Sequence, residues 1–324
     1  MQTQINNQHV LVGLDKTAMS CARYLRSQKI PFSAVDSREM PAGIDEFRAE
    51  FPDTSVELGE LNAATLCAAD TLVMSPEVDL RTPAVRKAID NGVPVTGDID
   101  MFAKVAKAPI VAITGSNHKS VVVILVGAMA KAQGIKVAVA GNTGLPVLDL
   151  LAESAYELFV LELSSFQLET TSNLGAKVAT VLNMSPKHLD RYDSMQAYHK
   201  AKHRIFQGCK HAVINRDDAL SRPLLPSAVQ VTSFGTGKEQ SREFSVITSD
   251  SKQWLAFAQQ PLIAVEEVKI VGTQNIANAL AALALGKAAG LAWEPMLEAL
   301  RNSAELFSAD FNADIVTPAV EELH

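Results

Sequence analysis

The stretch Ile113-Thr-Gly-Ser-Asn-His-Lys-Ser-Val121 constrains this chain more than any other, because it reads as a phosphate-binding loop. The apolar run Ala108-Pro-Ile-Val-Ala-Ile-Thr114 before it predicts a buried strand, and Val121 to Lys131 after it predicts a helix. A strand–loop–helix of this kind brings backbone N–H groups and a helix N-terminus onto an anion. Lys119 would meet the outer phosphates and the Ser120 hydroxyl would meet Mg²⁺. Gly115, Ser116 and Asn117 complete the candidate cradle. The residue before the lysine is expected to be glycine or similarly small, so that the backbone can wrap the anion. His118 stands there instead, with a ring that either crowds the phosphate or turns to solvent.

A chain of 324 residues is long enough for two domains and a sizeable core. The net charge of −7 argues against a nucleic-acid partner, which would want a basic face. No apolar run of membrane-spanning length occurs and residues 1–9 are polar, so neither a membrane span nor a signal peptide is expected. Cys21, Cys67 and Cys209 are odd in number and far apart, which predicts reduced, mostly buried thiols and a cytoplasmic location.

Val10–Leu14, a loop, a helix over Ala18–Arg26 and a strand over Phe32–Asp36 give a β–loop–α–β–Asp order. That is the order of a Rossmann-like half, in which the first loop holds a pyrophosphate and the later acid a sugar or base. Further strands are predicted at 71–74 and 93–96, closing a first domain at residues 1–98. A second α/β domain over 99–302 carries predicted strands at 109–114, 136–140, 158–162, 178–182 and 212–215, apolar throughout and alternating with helices. Such strands predict a parallel sheet covered on both faces. Short β-like pieces at 229–234, 254–257 and 262–265 predict a small antiparallel addition, followed by an Ala/Leu-rich helix from Asn275 to Ala289. Residues 303–324 predict no clear element.

Several stretches together resemble the Mur ligase family, most closely its D-glutamate-adding branch. They are Gly97–Asp100, Ala108–Asn117, Gly141–Pro146, Leu161–Thr170, His188–Tyr192, Ala201–Phe206 and Asn278–Leu285. The resemblance implies a UDP-sugar-binding first domain, a central P-loop-type ATPase-like domain and a C-terminal domain that brings the amino acid. It also implies amide formation by way of a carboxylate phosphorylated by ATP. Lys119 would then hold the ATP phosphates, Ser120 and Glu162 one Mg²⁺, and His188 with a carbamylated Lys202 a second. Asn275 and Asn278 would lie at the adenine. Asn142 would lie near the UDP-substrate, and Thr17, Asp36, Ser37, Arg38 and Ser75 would line its pocket. Hard oxygen ligands suit Mg²⁺, and phosphoryl transfer is mostly positioning and charge neutralisation.

The departures from the family pattern are equally specific. His118 replaces a small residue, and Val121 replaces a threonine hydroxyl. Asp15 and Ala18 interrupt the glycines of the first loop, so that a carboxylate stands where a diphosphate is expected; Asp15 also suits the N-cap of the following helix. Glu77 adds a second acid there, and Lys187 puts a cation beside His188. Glu305 to His324 contain no counterpart of the family's C-terminal motifs. Like charges near one phosphate cost ~1–4 kcal/mol per close pair. These changes lead to the expectation of a two-domain chain that has lost ligase activity and most nucleotide binding, and acts as an interaction or regulatory module. Its partner would be a protein, such as a full-length Mur ligase or a donor of the third domain. Two alternatives remain open. One is an ATP- and Mg²⁺-dependent carboxylate–amine ligase or ATPase that takes its third domain from another chain. The other is a small-ligand sensor that keeps the sugar-nucleotide cleft. Glu162, His188 and Lys202 either ligate metal or form a polar cluster satisfied without it.

Overall fold

The computed structural model describes residues 8–152, 155–237, 243–269, 273–304 and 306. It divides into two compact units: Met1–Val105 with Pro146–Ala152 and Glu169–Ser172, and Ala106–Leu145 with Glu153–Leu168 and Asn173–His324.

The first unit is built on a five-stranded parallel sheet. Its strands β1 (His9–Val12), β2 (Phe32–Asp36), β3 (Val56–Leu58), β4 (Thr71–Met74) and β5 (Val95–Thr96) lie in the order β3-β2-β1-β4-β5. The helices α1 (Lys16–Ser27), α2 (Ile44–Glu50), α3 (Ala63–Cys67), α4 (Pro83–Asp90) and α5 (Asp98–Ala103) connect and cover it. Because β2 and β4 both pair with β1, the strand order reverses there, and the loops after β1 and β4 open a crevice at the carboxyl edge. Val10, Val12, Leu72, Met74, Leu66 and Val85 form the core beneath it.

The second unit carries a nine-stranded sheet. Six parallel strands come first: β6 (Ile110–Thr114), β7 (Val137–Gly141), β8 (Leu158–Glu162), β9 (Val178–Val181), β10 (His211–Asn215) and β11 (Gln230–Phe234). Then β12 (Phe244–Ser249), β13 (Lys252–Phe257) and β14 (Gln260–Ala264) complete the order β14-β13-β12-β11-β10-β9-β6-β8-β7. The helices are α6 (Lys119–Ala132), α7 (Ser165–Glu169), α8 (Met195–His203), α9 (Thr273–Ala289) and α10 (Trp293–Arg301). In α9 every residue from Ala279 to Leu285 is fully buried, as expected for a helix apolar all round. It packs with α6 and α10 on one core with Val111, Ile113 and Val160.

The predicted α/β class and parallel sheets are found, with one correction to the addition at the edge. The strand at 230–234 is not part of the antiparallel piece: β11 pairs in parallel with β10 and with β12, and the antiparallel pairings are β12 with β13 and β13 with β14. Strand β12 and the three-residue β3 are not among the predicted strands. Of the predicted tail, all but residues 303, 304 and 306 lies outside the described residues.

Parallel register sets the last residue of β8, Glu162, beside Ile113 of β6 and Gly141 of β7. Gly141 has φ of +110°, and a Cβ there would stand 2.2 Å from the Glu162 carbonyl oxygen. Gly141→Ala is therefore expected to destabilise the chain by ~2–4 kcal/mol, from left-handed strain and the clash with β8. Urea unfolding followed by circular dichroism would measure it; a change below ~0.5 kcal/mol would show that the strand end yields.

Candidate functional site

Thr114 ends β6 and α6 begins at Lys119, so residues 115–118 make the whole turn from strand to helix. The turn is stitched to the segment after β9 by two reciprocal pairs. Asn117 N–H donates to Asn183 Oδ1 at 2.8 Å, while Asn183 Nδ2 donates to the Asn117 carbonyl at 3.0 Å. Ser116 Oγ donates to the Ser185 carbonyl at 3.0 Å and accepts from Ser185 N–H at 2.9 Å. Gly115 packs closely, since a Cβ there would meet Leu182 Cβ at 3.1 Å. His118 is the N-cap of α6 at φ +61°, ψ 16°, with an exposed side chain and no side-chain capping bond. The backbone thus takes the left-handed turn that glycine adopts without strain, although histidine occupies it. The first amides of α6 have no intrahelical acceptor and carry the positive end of the helix dipole, so the loop favours an anion.

Glu162 is 1% exposed, and three polar groups surround its carboxylate. Ser120 Oγ donates to Oε2 at 2.7 Å, Thr143 Oγ1 donates to the same oxygen at 3.3 Å, and Asn142 Nδ2 donates to Oε1 at 2.9 Å. Asn142 thus donates to the central carboxylate. Lys119 is half-buried. Burial depresses its pKa and the charge of Lys187 adds to this, while Glu162 opposes it.

Lys202 projects from α8 and is 2% exposed. Its Nζ lies 3.1 Å from Thr114 Oγ1 and 5.0 Å from the Tyr198 ring centre. Burial, with Lys119 and Lys187 adding and Glu162 opposing, lowers its pKa to about 7. His188 has φ of +55° and rests its ring on Phe166, with centroids 4.8 Å apart. Burial, then Lys202, Lys187 and Lys119, hold His188 below the usual imidazole range against the pull of Asp190. Lys119, Glu162, Lys187, His188 and Lys202 are thus one electrostatic group. Asn275 and Asn278 meet on α9, where Asn278 Nδ2 donates to Asn275 Oδ1 at 3.1 Å. Val121 is half-buried in the first turn of α6. Among the described residues no three His, Cys, Asp or Glu side chains converge, so a cation here would rest on a mixed set of carboxylate, hydroxyl and a modified lysine.

In the first unit, Asp15 is the N-cap of α1. Its Oδ1 accepts from Ala18 N–H at 2.8 Å and its Oδ2 from Ser75 Oγ at 2.5 Å. Asp36, at the end of β2, accepts from Leu14 N–H at 2.7 Å and from the Arg38 amide and guanidinium. Burial pushes its pKa up, but these bonds outweigh burial and hold it low. Gly13, Asp36, Ser37, Arg38, Ser75 and Glu77 line a cavity of about 300 Å³. Thr17 lies half-buried in the first turn of α1, outside that lining. Sequence reasoning missed Asn183, Ser185, Thr143 and Thr114, whose roles appear only when the loops are brought together.

The model for the Mur ligase middle domain matches residues 113–286, and that for the N-terminal domain of MurD-like Mur ligases matches residues 7–97. The chain belongs to the Mur ligase family. It is 54% identical over 292 residues to the UDP-N-acetylmuramoylalanine–D-glutamate ligase of Pseudomonas aeruginosa, covering 90% of this chain and 65% of that one. The enzyme of the same name from Marinobacter nauticus is 48% identical, again over 90% of this chain and 65% of its own. This chain thus spans just under two thirds of the length of these relatives. Among solved structures, the Neisseria ligase for UDP-N-acetylmuramate and a tripeptide superposes with a TM-score of 0.60 at 15% identity, over 91% of this chain and 97% of that one. The UDP-N-acetylmuramate–alanine ligase of Thermotoga maritima gives 0.52 at 20% identity, over 91% and 68%. Both likenesses are of fold. Among the described residues no helix of this Mur ligase family member is long and apolar enough to cross a membrane.

Two expectations follow. Lys202 is protonated in the unfolded chain up to its ordinary pKa of 10.5 but loses its proton near 7 when folded. From about pH 7 to 10.5 the unfolded state binds more protons, so stability from this group rises with pH and levels off above that range. Lys202→Met should stabilise the chain by ~1–4 kcal/mol below pH 7, with the gain shrinking toward pH 10. Denaturation midpoints at pH 6.5 and 9.5 test it, and equal gains at both would remove Lys202 as the cause. His118→Gly should stabilise by ~0.5–1 kcal/mol through relief of the left-handed strain, measured by the same denaturation.

Proposed function

We propose that this chain is the carboxylate-activating part of a UDP-N-acetylmuramoylalanine–D-glutamate ligase. Its central unit would bind ATP with Mg²⁺ at residues 115–120, and its first unit would receive the sugar-nucleotide acid. One observation carries this reading. Lys202 is buried against a hydroxyl and an aromatic face, where an ammonium ion is poorly solvated. A lysine held near neutrality there is the species that captures CO₂, and the resulting carbamate is a hard oxygen ligand.

The residues fit Mg²⁺. Ser120 Oγ and the Glu162 carboxylate are 2.7 Å apart and present oxygen donors beside the helix N-terminus. Ser120, Glu162 and a carbamylated Lys202 would hold the ion, with His188, kept neutral by its surroundings, at the margin. Bound there, Mg²⁺ supplies charge neutralisation at the phosphates. Lys119 adds a cation to the outer phosphates, the loop amides orient them, and the Asn275–Asn278 pair would meet the base. The reciprocal bonds of Asn117 and Ser116 keep the loop in shape before a nucleotide arrives, which lowers the cost of ordering it on binding.

The reading of a non-catalytic interaction or sensor module is favoured by a different observation. Asp15 already satisfies the α1 N-terminus with an internal carboxylate, and Glu77 lines the cavity together with Ser75, which donates to Asp15. Both would oppose the diphosphate of a UDP-sugar. The partner under that reading would be a protein, either a full-length Mur ligase or a donor of a third domain.

Calorimetric titration separates the two readings. ATP with Mg²⁺ is expected to bind, at least tenfold more weakly to Lys119→Ala, a loss of ~1.4 kcal/mol. ¹³C-bicarbonate should give a carbamate resonance that is absent from Lys202→Met. If ATP does not bind and no carbamate forms, the non-catalytic reading stands. Micromolar binding of UDP-N-acetylmuramoylalanine to the unaltered chain would show that Asp15 and Glu77 do not repel it. Otherwise Asp15→Gly with Glu77→Gly should restore that binding.

A further inference from the structure

Helix α8 carries a second group of titratable side chains outside the candidate nucleotide site. His199 and His203 stand one turn apart, and their rings stack at 3.7 Å between centroids with 21° between planes. Both are half-buried, so neither is sealed in the core. Side chains at i and i+4 share one helix face, and two imidazoles so spaced are a natural chelating pair.

The surroundings of His203 are those of a metal ligand. Its Nε2 lies 3.0 Å from the Leu220 carbonyl oxygen. A carbonyl only accepts, so Nε2 carries the proton and Nδ1 keeps its lone pair. A backbone carbonyl that fixes the tautomer in this way is the usual companion of a ligating histidine. That carbonyl is itself held in place. Asp218 Oδ1 accepts from Leu220 N–H at 3.0 Å and Ser221 N–H at 3.2 Å, and its Oδ2 accepts from Met184 N–H at 2.7 Å. Phe206 meets the His203 ring edge-on at 5.7 Å and limits its rotation. Among the described residues His199 has no such restraint on its ring, so it is the ring that turns to complete a chelate.

We propose that His199 and His203 form a two-imidazole site for a late first-row divalent ion of the Cu²⁺, Ni²⁺ or Zn²⁺ class, with water filling the remaining positions. Imidazole nitrogen suits these ions and not Mg²⁺, which selects oxygen, so the site is chemically distinct from the one around Glu162. An ion there ties two successive turns of α8 together, on the helix that also positions Lys202. The inference does not depend on nucleotide binding.

The full chain would be titrated with Ni²⁺ by calorimetry and with Cu²⁺ by electron paramagnetic resonance. One site is expected, with hyperfine structure from two nitrogens in the Cu²⁺ spectrum. His199→Ala, at a half-buried position, should weaken Ni²⁺ binding at least tenfold and remove one nitrogen coupling while circular dichroism stays unchanged. His203→Gln, which retains an N–H for the Leu220 carbonyl, should do the same, and His188→Ala should leave the site intact. Equal Ni²⁺ binding by the unaltered chain and His199→Ala would overturn the proposal. So would loss of the signal in His188→Ala alone, or no binding of either ion to the unaltered chain.

Discussion

A carboxylate buried as deeply as Glu162 must be solvated by the protein, and much of the central unit is arranged to do so. The parallel register of β6, β7 and β8 brings three loop beginnings to its side chain. Two of them answer with donors: Ser120 from the start of α6, and Asn142 and Thr143 from the turn after β7. Gly141 has to be glycine because the β7 backbone leaves its strand against the Glu162 carbonyl. Losing any one donor would leave part of a buried charge uncompensated, at ~1–3 kcal/mol or more. The same shell that stabilises the fold also keeps oxygen ligands beside a helix N-terminus.

The two units handle their helix N-termini in opposite ways. In the first, Asp15 supplies an anion from within the chain, bonded to the α1 amide and to Ser75, and Arg38 is engaged by Asp36. In the second, no acidic residue occupies the first turn of α6, and the cations Lys119 and Lys187 lie near Glu162. An incoming phosphate therefore meets a self-neutralised site in one unit and a net positive one in the other. The sequence departures do not act alike: those in the first unit change the charge a ligand meets, and those in the central loop change strain and packing.

Much of this was legible in the sequence, for identifiable reasons. Continuous apolar runs at 110–114, 158–162 and 178–181 announce strands buried on both faces, and the register of the sheet then brings Lys119, Ser120 and Glu162 together. The acid at 15 was readable as a cap because Asp accepts from amides two or three residues on. What escaped depends on contacts distant in sequence. Asn183 and Ser185 look like ordinary loop residues until β9 comes to lie beside β6. The bond from the Asn142 amide to Glu162 needs β7 and β8 side by side. A five-residue piece such as β11 carries no signal of strand direction, which is set by the crossover that precedes it.

The position before Lys119 shows how one rule can be right for a different reason. Glycine is expected there to make space for the phosphate, and histidine would then block it. The structure puts the demand on the backbone: residue 118 must be left-handed, and its side chain leaves toward solvent. A non-glycine residue pays ~1–2 kcal/mol for that conformation. The six hydrogen bonds linking 116 and 117 to 183 and 185 fix the turn on either side and can carry such a strain. The consequence of His118 is then a loop of normal shape held at higher internal energy. A bound anion would relieve none of that strain, because the torsion is the same with or without it. Affinity at this loop is therefore governed by charge and by the groups around Glu162, while residue 118 governs how stable the unliganded loop is.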